Sequence, residues 1–367
     1  YLPPDLYKEL QVDTRGSFGG LGIEITSRNN VLTVVSPIED TPAYRAGVKS
    51  GDQIIKIEDE FTRDMPLAEA VKKMRGPKGT KIRLSLRREN VAELIDLTLT
   101  REVIKIQSVK SHVLEKGYGY IRLTQFQEHT DDDLQKALAK LDQDNGGPIA
   151  GLVLDLRNNP GGLLTQAVRV SDEFIDSGLV VYTDGRLENQ KQKYFAHKAG
   201  AHVDYPMIVL VNGGSASASE IVAGCLQDHK RALVLGTQTF GKGSVQTILP
   251  LDDSAAIRLT TARYYTPNGR SIQATGITPD IVVDNSVADA KPDGSSGFPA
   301  IREENLPRHF ERKGKAPDNG VPKKEEEPEA VPELHEGELG KDPQLDRALE
   351  LLKSWNVFKT VVAKNDS

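Results

Sequence analysis

The sequence predicts a multidomain α/β protein in which a small β-rich unit with two helices joins a larger, mostly parallel α/β core, with a helix near the C-terminus. Three observations predict it. Between Phe18 and Thr100, β-branched runs such as Val31-Leu-Thr-Val-Val35 are separated by glycine-rich turns, and Leu67, Ala70, Val71 and Met74 recur at helical spacing. From Val103 onward, apolar strand-like runs alternate with helical patterns, the arrangement that builds a parallel sheet covered by helices. After Asn285 the composition turns to Pro, Gly, Lys and Glu as far as Gly340, and a marked helix start follows at Asp342.

The chain has 367 residues, 38% of them hydrophobic, enough for two folded units and tails. Lys and Arg number 47 against 53 Asp and Glu, and the net charge of −6 argues against a polyanionic partner such as nucleic acid. The single cysteine, Cys225, falls at a helical core position, so neither an intrachain disulfide nor a cysteine metal site is expected. No apolar run approaches the roughly 20 residues of a membrane span. The chain opens at Tyr1 rather than Met, in a surface-like segment, so a preceding portion carrying any export signal is expected.

Residues 1–17 are mixed and Pro-containing, and Leu6, Tyr7 and Leu10 fit one amphipathic turn. Residues 18–102 read as one domain. Its Phe18-Gly-Gly-Leu-Gly-Ile23 loop can turn successive backbone N–H groups toward a peptide carboxylate, and the adjoining strand edge can accept an added strand. The plain alternative is a turn beside core residues. Taken with Ala46-Gly-Val-Lys-Ser-Gly-Asp52, the stretch resembles a PDZ domain, which implies a peptide groove built from Gly20, Leu21, Gly22, Ile23, Leu67 and Val71. Arg75, at the end of the groove helix, reads as a solvated helix-end charge; the family resemblance described below implies instead that it couples bound peptide to the catalytic site.

Residues 103–285 form the core. Tyr118 to Leu123, Ile149 to Leu156 and Val180 to Thr183 read as strands, and Asp131 to Leu141 and Leu163 to Phe174 as helices. Pro206-Met-Ile-Val-Leu-Val211, the turn Asn212-Gly213-Gly214 and the helical spacing of Ile221, Val222, Cys225 and Leu226 make a strand, turn and helix. A serine at that turn sits where unpaired N–H groups and the helix dipole can steady an oxyanion. Ser215, Ser217 and Ser219 compete, and Ser217 with Glu220 also spells a capping box.

A hydroxyl nucleophile needs a base, and none of the seven histidines lies in a recognisable motif. Lys242 stands out between Gly241 and Gly243, with a strand-like Val245-Gln-Thr-Ile-Leu249 behind it. In an extended chain Lys242, Ser244 and Gln246 project to one side, so Gln246 can orient the lysine. To act as base the lysine must fall from about 10.4 to roughly 7–8, which burial can achieve. Gly236-Thr-Gln-Thr-Phe-Gly-Lys-Gly243 imitates a P-loop, but Gly243 stands where a magnesium-binding Ser or Thr belongs, and a strand pattern follows instead of a helix.

Ser217-Ala-Ser-Glu220, Lys242, Gln246 and the upstream Asp155-Leu-Arg-Asn-Asn-Pro-Gly-Gly162, in this order over residues 5 to 284, resemble the carboxy-terminal processing proteases, the tail-specific serine peptidases. The resemblance implies Ser217 as nucleophile, Lys242 as base, Gln246 as its orienting partner and the N–H groups of Gly162 and Ala218 as oxyanion hole. It also implies a crotonase-like α/β core with an inserted PDZ domain, no metal or other cofactor, a protein substrate with a free non-polar C-terminus, and export to the periplasm or cell envelope or to a chloroplast lumen. A PDZ adaptor on a silent core and a P-loop protein are the rival readings. Residues 286–340 are expected to be a flexible linker without chemistry of its own, and residues 341–367 a helical segment with Asp342 as N-cap and Pro343 at N1, docking on the core or on a partner subunit as a homo-oligomer contact.

Overall fold

In the computed structural model, residues 1–28, 30–197, 205–251, 254–284, 302–306 and 336–365 are described. They divide into two compact units, Gln11–Gln107 and Tyr1–Leu10 with Ser108–Ser367. The N-terminal segment forms a helix over Pro4–Arg15, longer than the single turn expected, with no buried residue.

The smaller unit is a sheet ordered Ile23–Arg28, Val31–Pro37, Gln53–Ile57, Lys81–Arg87, Ile95–Thr100, with Glu60–Phe61 appended to Gln53–Ile57. Alternation explains its core: Ile82, Leu84 and Leu86 point inward from one strand and pack with Leu32, Val34, Ile54 and Ile57. Helices Pro42–Arg45 and Leu67–Met74 complete it. The expected limit at residue 102 falls inside a strand, because Glu102–Lys105 pairs antiparallel with Ser17–Gly20 and so belongs to this unit. Ile23–Arg28 pairs only with Val31–Pro37, which leaves its other edge free among the described residues.

The larger unit holds a six-stranded sheet in the order Ile281–Val282, Leu233–Gly236, Met207–Val211, Gly151–Asp155, Tyr118–Leu123, Val109–Glu115. All its pairings are parallel except the last, a hairpin. Gly151–Asp155 and Met207–Val211 are buried throughout, as central strands covered on both faces must be. Leu152, Leu154, Val209, Val211 and Val234 face the helices Thr130–Asn145, Leu164–Asp172 and Ala218–Asp228, whereas Val153, Ile208, Leu210 and Leu235 face the other way.

That second face is covered by the helix Pro343–Asn365, through Leu345, Ala348 and Leu352. The C-terminal helix therefore docks on its own core, and Trp355 and Val357 beyond the docked stretch are exposed. Asp342 caps it, accepting from the Leu345 N–H at 3.1 Å.

A four-stranded antiparallel sheet, Gln192–Ala196, Gly178–Gly185, Ala256–Tyr265, Ser244–Pro250, departs from the mostly parallel arrangement expected. The run at Val180 to Thr183 leaves the central sheet for this one. The chain from Gly236 to Ser244 is thus a crossover between two sheets. Within the expected linker, residues 302–306 and 336–340 are described, and the remainder of 286–340 lies outside the described residues. Among the described residues, no helix is long and apolar enough to cross a membrane. Leu352→Ala should cost about 2–5 kcal/mol of stability by opening a cavity under the C-terminal helix; urea unfolding followed by circular dichroism measures it.

Candidate active site

The strand Met207–Val211 ends at a tight turn, and the helix Ala218–Asp228 begins seven residues later. Of the three candidate serines, two are committed to the scaffold. Ser215 Oγ donates to the Leu156 carbonyl and Ser219 Oγ to the Asn159 carbonyl, each at 2.8 Å, and both residues are fully buried. Ser217 is half-buried, makes no side-chain capping hydrogen bond, and adopts φ 55° and ψ −110°, a conformation that costs a non-glycine residue roughly 1–3 kcal/mol. The carboxylate half of the capping box is made: the Ser217 N–H donates to Glu220 Oε2 at 2.8 Å.

Glu220 does more than cap. Its Oε2 also accepts from the Lys242 N–H at 2.9 Å, and its Oε1 from the Gly241 N–H at 2.7 Å and the Thr239 hydroxyl at 2.6 Å. Thr239 Oγ1 accepts in turn from the Ile277 N–H at 2.7 Å. The backbones of Ser217 and Lys242 therefore meet on one carboxylate oxygen. Burial pushes the Glu220 carboxyl up to about 7, against the donors that hold it down.

Lys242 precedes the strand Ser244–Pro250, in a loop bent by Gly241 at φ 98°. Burial moves its ammonium below the ordinary lysine value and Arg258 adds to this, while Glu303 and Glu220 pull the other way. The alternation expected for Lys242, Ser244 and Gln246 does not reach the lysine, because the extended chain starts only at Ser244. Gln246 is exposed on an edge strand, just past a pairing irregularity, and no hydrogen bond joins it to Lys242 among the described residues. The segment after the P-loop-like glycines is this strand, so no helix N-terminus is available for phosphate.

The loop after Gly151–Asp155 lies against the serine turn. Asn159 is its hub: its carbonyl accepts from the Ala216 N–H at 3.0 Å as well as from Ser219, its Nδ2 donates to the Leu123 carbonyl at 2.8 Å, and its Oδ1 accepts from the Gly161 N–H at 2.9 Å. A Cβ on Gly161 would lie 2.9 Å from both the Ala218 nitrogen and Ser217 Cβ, so only glycine allows this approach. At Gly162, φ is 144° and a Cβ would overlap the Phe126 carbonyl. The Gly162 and Ala218 N–H groups make no hydrogen bond among the described residues.

The model for peptidase family S41 matches residues 117–283, and the PDZ domain model matches residues 9–87. The carboxyl-terminal-processing protease of Picosynechococcus sp. is 37% identical over 289 residues, covering 77% of this chain and 68% of that protein. This chain belongs to peptidase family S41. The carboxy-terminal-processing protease of Bartonella bacilliformis is 52% identical over 288 residues, 77% of this chain, and the chain spans 65% of that relative's length. A solved structure titled photosystem II D1 C-terminal processing protease is 33% identical, covers 77% of each chain and has a TM-score of 0.46.

The PDZ domain of this S41 chain has its Gly20-Leu21-Gly22-Ile23 loop turned by Gly22 at φ 75°. Thr41 fills the space a Gly22 side chain would need and donates to the Ile38 carbonyl at 2.6 Å. The four residues at helical spacing in Leu67–Met74 divide into two faces: Ala70 and Met74 enter the core, while Leu67 is exposed and Val71 half-buried. The outer pair is the one free to line a groove. Arg75 is not simply solvated, since its guanidinium stacks on the Phe18 ring at 4.4 Å, two residues before Gly20.

Sequence reasoning saw Glu220 only as a cap and missed its link to Lys242, and it passed over Thr239 and Asn159. The Ser-x-x-Glu pattern was the available signal for Glu220; nothing local marks the other two. Because Glu220 holds its proton more tightly folded than unfolded, the stability it contributes is fully present below the ordinary carboxylate range and declines as pH rises from about 4.5 to about 7. Glu220→Gln should remove that slope, read as the difference in urea midpoints between parent and variant from pH 4 to pH 8.

Proposed function

We propose that this chain is a serine endopeptidase of the tail-specific kind, with Ser217 as nucleophile and Lys242 as general base. The observation that carries the reading is the shared Glu220 oxygen, which binds the backbones of Ser217 and Lys242 together while leaving the Ser217 hydroxyl, alone of the three, uncommitted to the scaffold.

The neutral Lys242 amine accepts the Ser217 proton as Oγ attacks the scissile carbonyl carbon. The resulting oxyanion is stabilised by the Gly162 and Ala218 N–H groups, which the scaffold leaves unengaged. Collapse breaks the C–N bond, and the leaving amine takes the proton from the Lys242 ammonium. Water then attacks the acyl-enzyme ester, giving a proton to Lys242; the ester C–O bond breaks, Ser217 Oγ takes that proton back from the Lys242 ammonium, and the acid product leaves and ionises in solvent. In this scheme Gln246 orients Lys242 only after moving from its exposed position.

The PDZ groove supplies selection. A non-polar C-terminus would add to the free edge of Ile23–Arg28, with its carboxylate at the Gly20-Leu21-Gly22-Ile23 loop and its side chains against Leu67 and Val71. Arg75 is the candidate residue for relaying occupancy. The substrate is a protein or peptide with such a tail, and location in a bacterial envelope is part of the same reading.

Ser217→Ala and Lys242→Ala should each lower cleavage of an unstructured, non-polar-tailed polypeptide by at least about 100-fold. Retention of more than a tenth of the activity by the lysine variant would remove it as base. In the parent, kcat/KM should rise with pH along a limb centred below the ordinary lysine value of 10.5. Val71→Glu should raise KM for the tailed substrate about tenfold, leaving a tail-less peptide unaffected.

A further inference from the structure

The loop that carries Gly161 and Gly162 is braced from the far end of the chain. Arg157, four residues before Gly161, is wholly buried, and all five guanidinium N–H donors are used. Nε and Nη2 grip Asp155, and Nη1 and Nη2 grip both oxygens of Asp342 at 2.9 and 2.6 Å, with Gln344 Oε1 taking a further bond at 2.9 Å. The next residue, Asn158, is held left-handed at φ 54° and donates to Glu336 Oε1 at 2.7 Å. Glu336 also pairs with Arg122 at 2.6 Å, and the Gly337 N–H donates to Asp342 Oδ2 at 2.9 Å. The strap Glu336–Asp342, with residues 336–340 expected to be linker without chemistry and Asp342 a helix N-cap, thus carries two carboxylates that hold consecutive residues of the loop.

We propose that the strap and the N-cap of the C-terminal helix position the oxyanion loop, with Asp342 and Glu336 as positioning residues that aim the Gly162 N–H through Arg157 and Asn158. The inference rests on the reading of Ser217 and Gly162 given above. Three features support it over a purely structural clamp. The bonds tie the loop's first residues to the strand residues Asp155 and Arg122, and the braced backbone holds Asn158, a non-glycine residue, at positive φ, a conformation that persists where surrounding contacts over-determine it. The helix also has a separate anchor in Leu345, Ala348 and Leu352, so docking does not need the ion pair. A misplacement of the oxyanion donor by about 1 Å is enough to lose roughly 10²-fold in rate.

The test uses the full chain. Asp342→Asn and Glu336→Ala, the second removing a largely buried carboxylate that pairs with Arg122, are compared with Leu352→Ala, which weakens the same helix without touching Arg157. Cleavage of a tailed, unstructured polypeptide is followed together with inhibition by a peptide aldehyde, which needs the oxyanion hole, and by the matching peptide alcohol, which does not.

The expected result is a fall in kcat of about 10- to 100-fold for Asp342→Asn and a smaller fall for Glu336→Ala, with KM within about twofold and aldehyde inhibition weakened at least tenfold more than alcohol inhibition. Leu352→Ala should keep the parent's aldehyde-to-alcohol ratio. The proposal is overturned if the ratio is unchanged in both carboxylate variants, or if it moves equally in Leu352→Ala. If cleavage by the parent survives Ser217→Ala, the underlying reading fails instead, an outcome distinct from either.

Discussion

The buried carboxylate of Glu220 joins two segments that chain topology would otherwise keep apart. Ser217 belongs to the turn after one parallel strand, and Lys242 to a crossover that leaves the parallel sheet for a second, antiparallel one. Three backbone N–H groups and the Thr239 hydroxyl meet on its two oxygens, so the side chain replaces the water those donors would otherwise need. Burying such a group unpaired would cost several kcal/mol, and the convergence of donors is what makes its place tolerable. The main chains of Ser217 and Lys242 are thereby fixed to one carboxylate oxygen.

The rest of the site is a set of loop backbones with positive φ, held by ordinary hydrogen bonds. Ser217, Asn158, Gly161 and Gly162 all have positive φ, and they lie within two loops laced by Asn159, Ser215 and Ser219. The buried Ser215 and Ser219 hydroxyls donate to the Leu156 and Asn159 carbonyls of the neighbouring loop, and the Asn159 carbonyl also accepts from the Ala216 N–H, so neither loop can relax without the other. Close approach at Gly161 leaves no room for a side chain. The result is a pair of N–H groups with no hydrogen-bond partner among the described residues, next to a hydroxyl that makes no side-chain capping bond.

The central sheet explains why a distant segment bears on this site. Successive residues of each parallel strand feed opposite faces, and three core helices cover one face while the C-terminal helix covers the other. A strand-end loop therefore has neighbours on both sides. The Asp155–Gly162 loop meets the serine turn on one and Asp342 on the other, through Arg157. Burial alone would push the Asp342 carboxyl up, but its bonds to Arg157 outweigh this and hold it below the usual range.

Much of the fold was legible because its signals are local. Glycine at Gly22 and Gly161, the apolar runs at Val31–Val35 and Met207–Val211, and the Asp342-Pro343 helix start each express a backbone or burial requirement within a few residues. The serine turn and the lysine loop were visible as motifs for the same reason. What the sequence left open was set by contacts across long separations. Periodicity placed Leu67, Ala70, Val71 and Met74 on a helix but could not say that Ala70 and Met74 face the core while Leu67 and Val71 face out. It also could not place Lys242 outside the strand or show Gln246 exposed. The strap at Glu336 to Asp342 looked like linker because its composition lacks apolar period; only the folded chain brings those carboxylates to Arg157 and Asn158, where buried and strained groups demand partners. Local sequence determined the elements and the reacting groups, and tertiary structure decided which polar groups meet, since pairing across more than a hundred residues has no periodic signature.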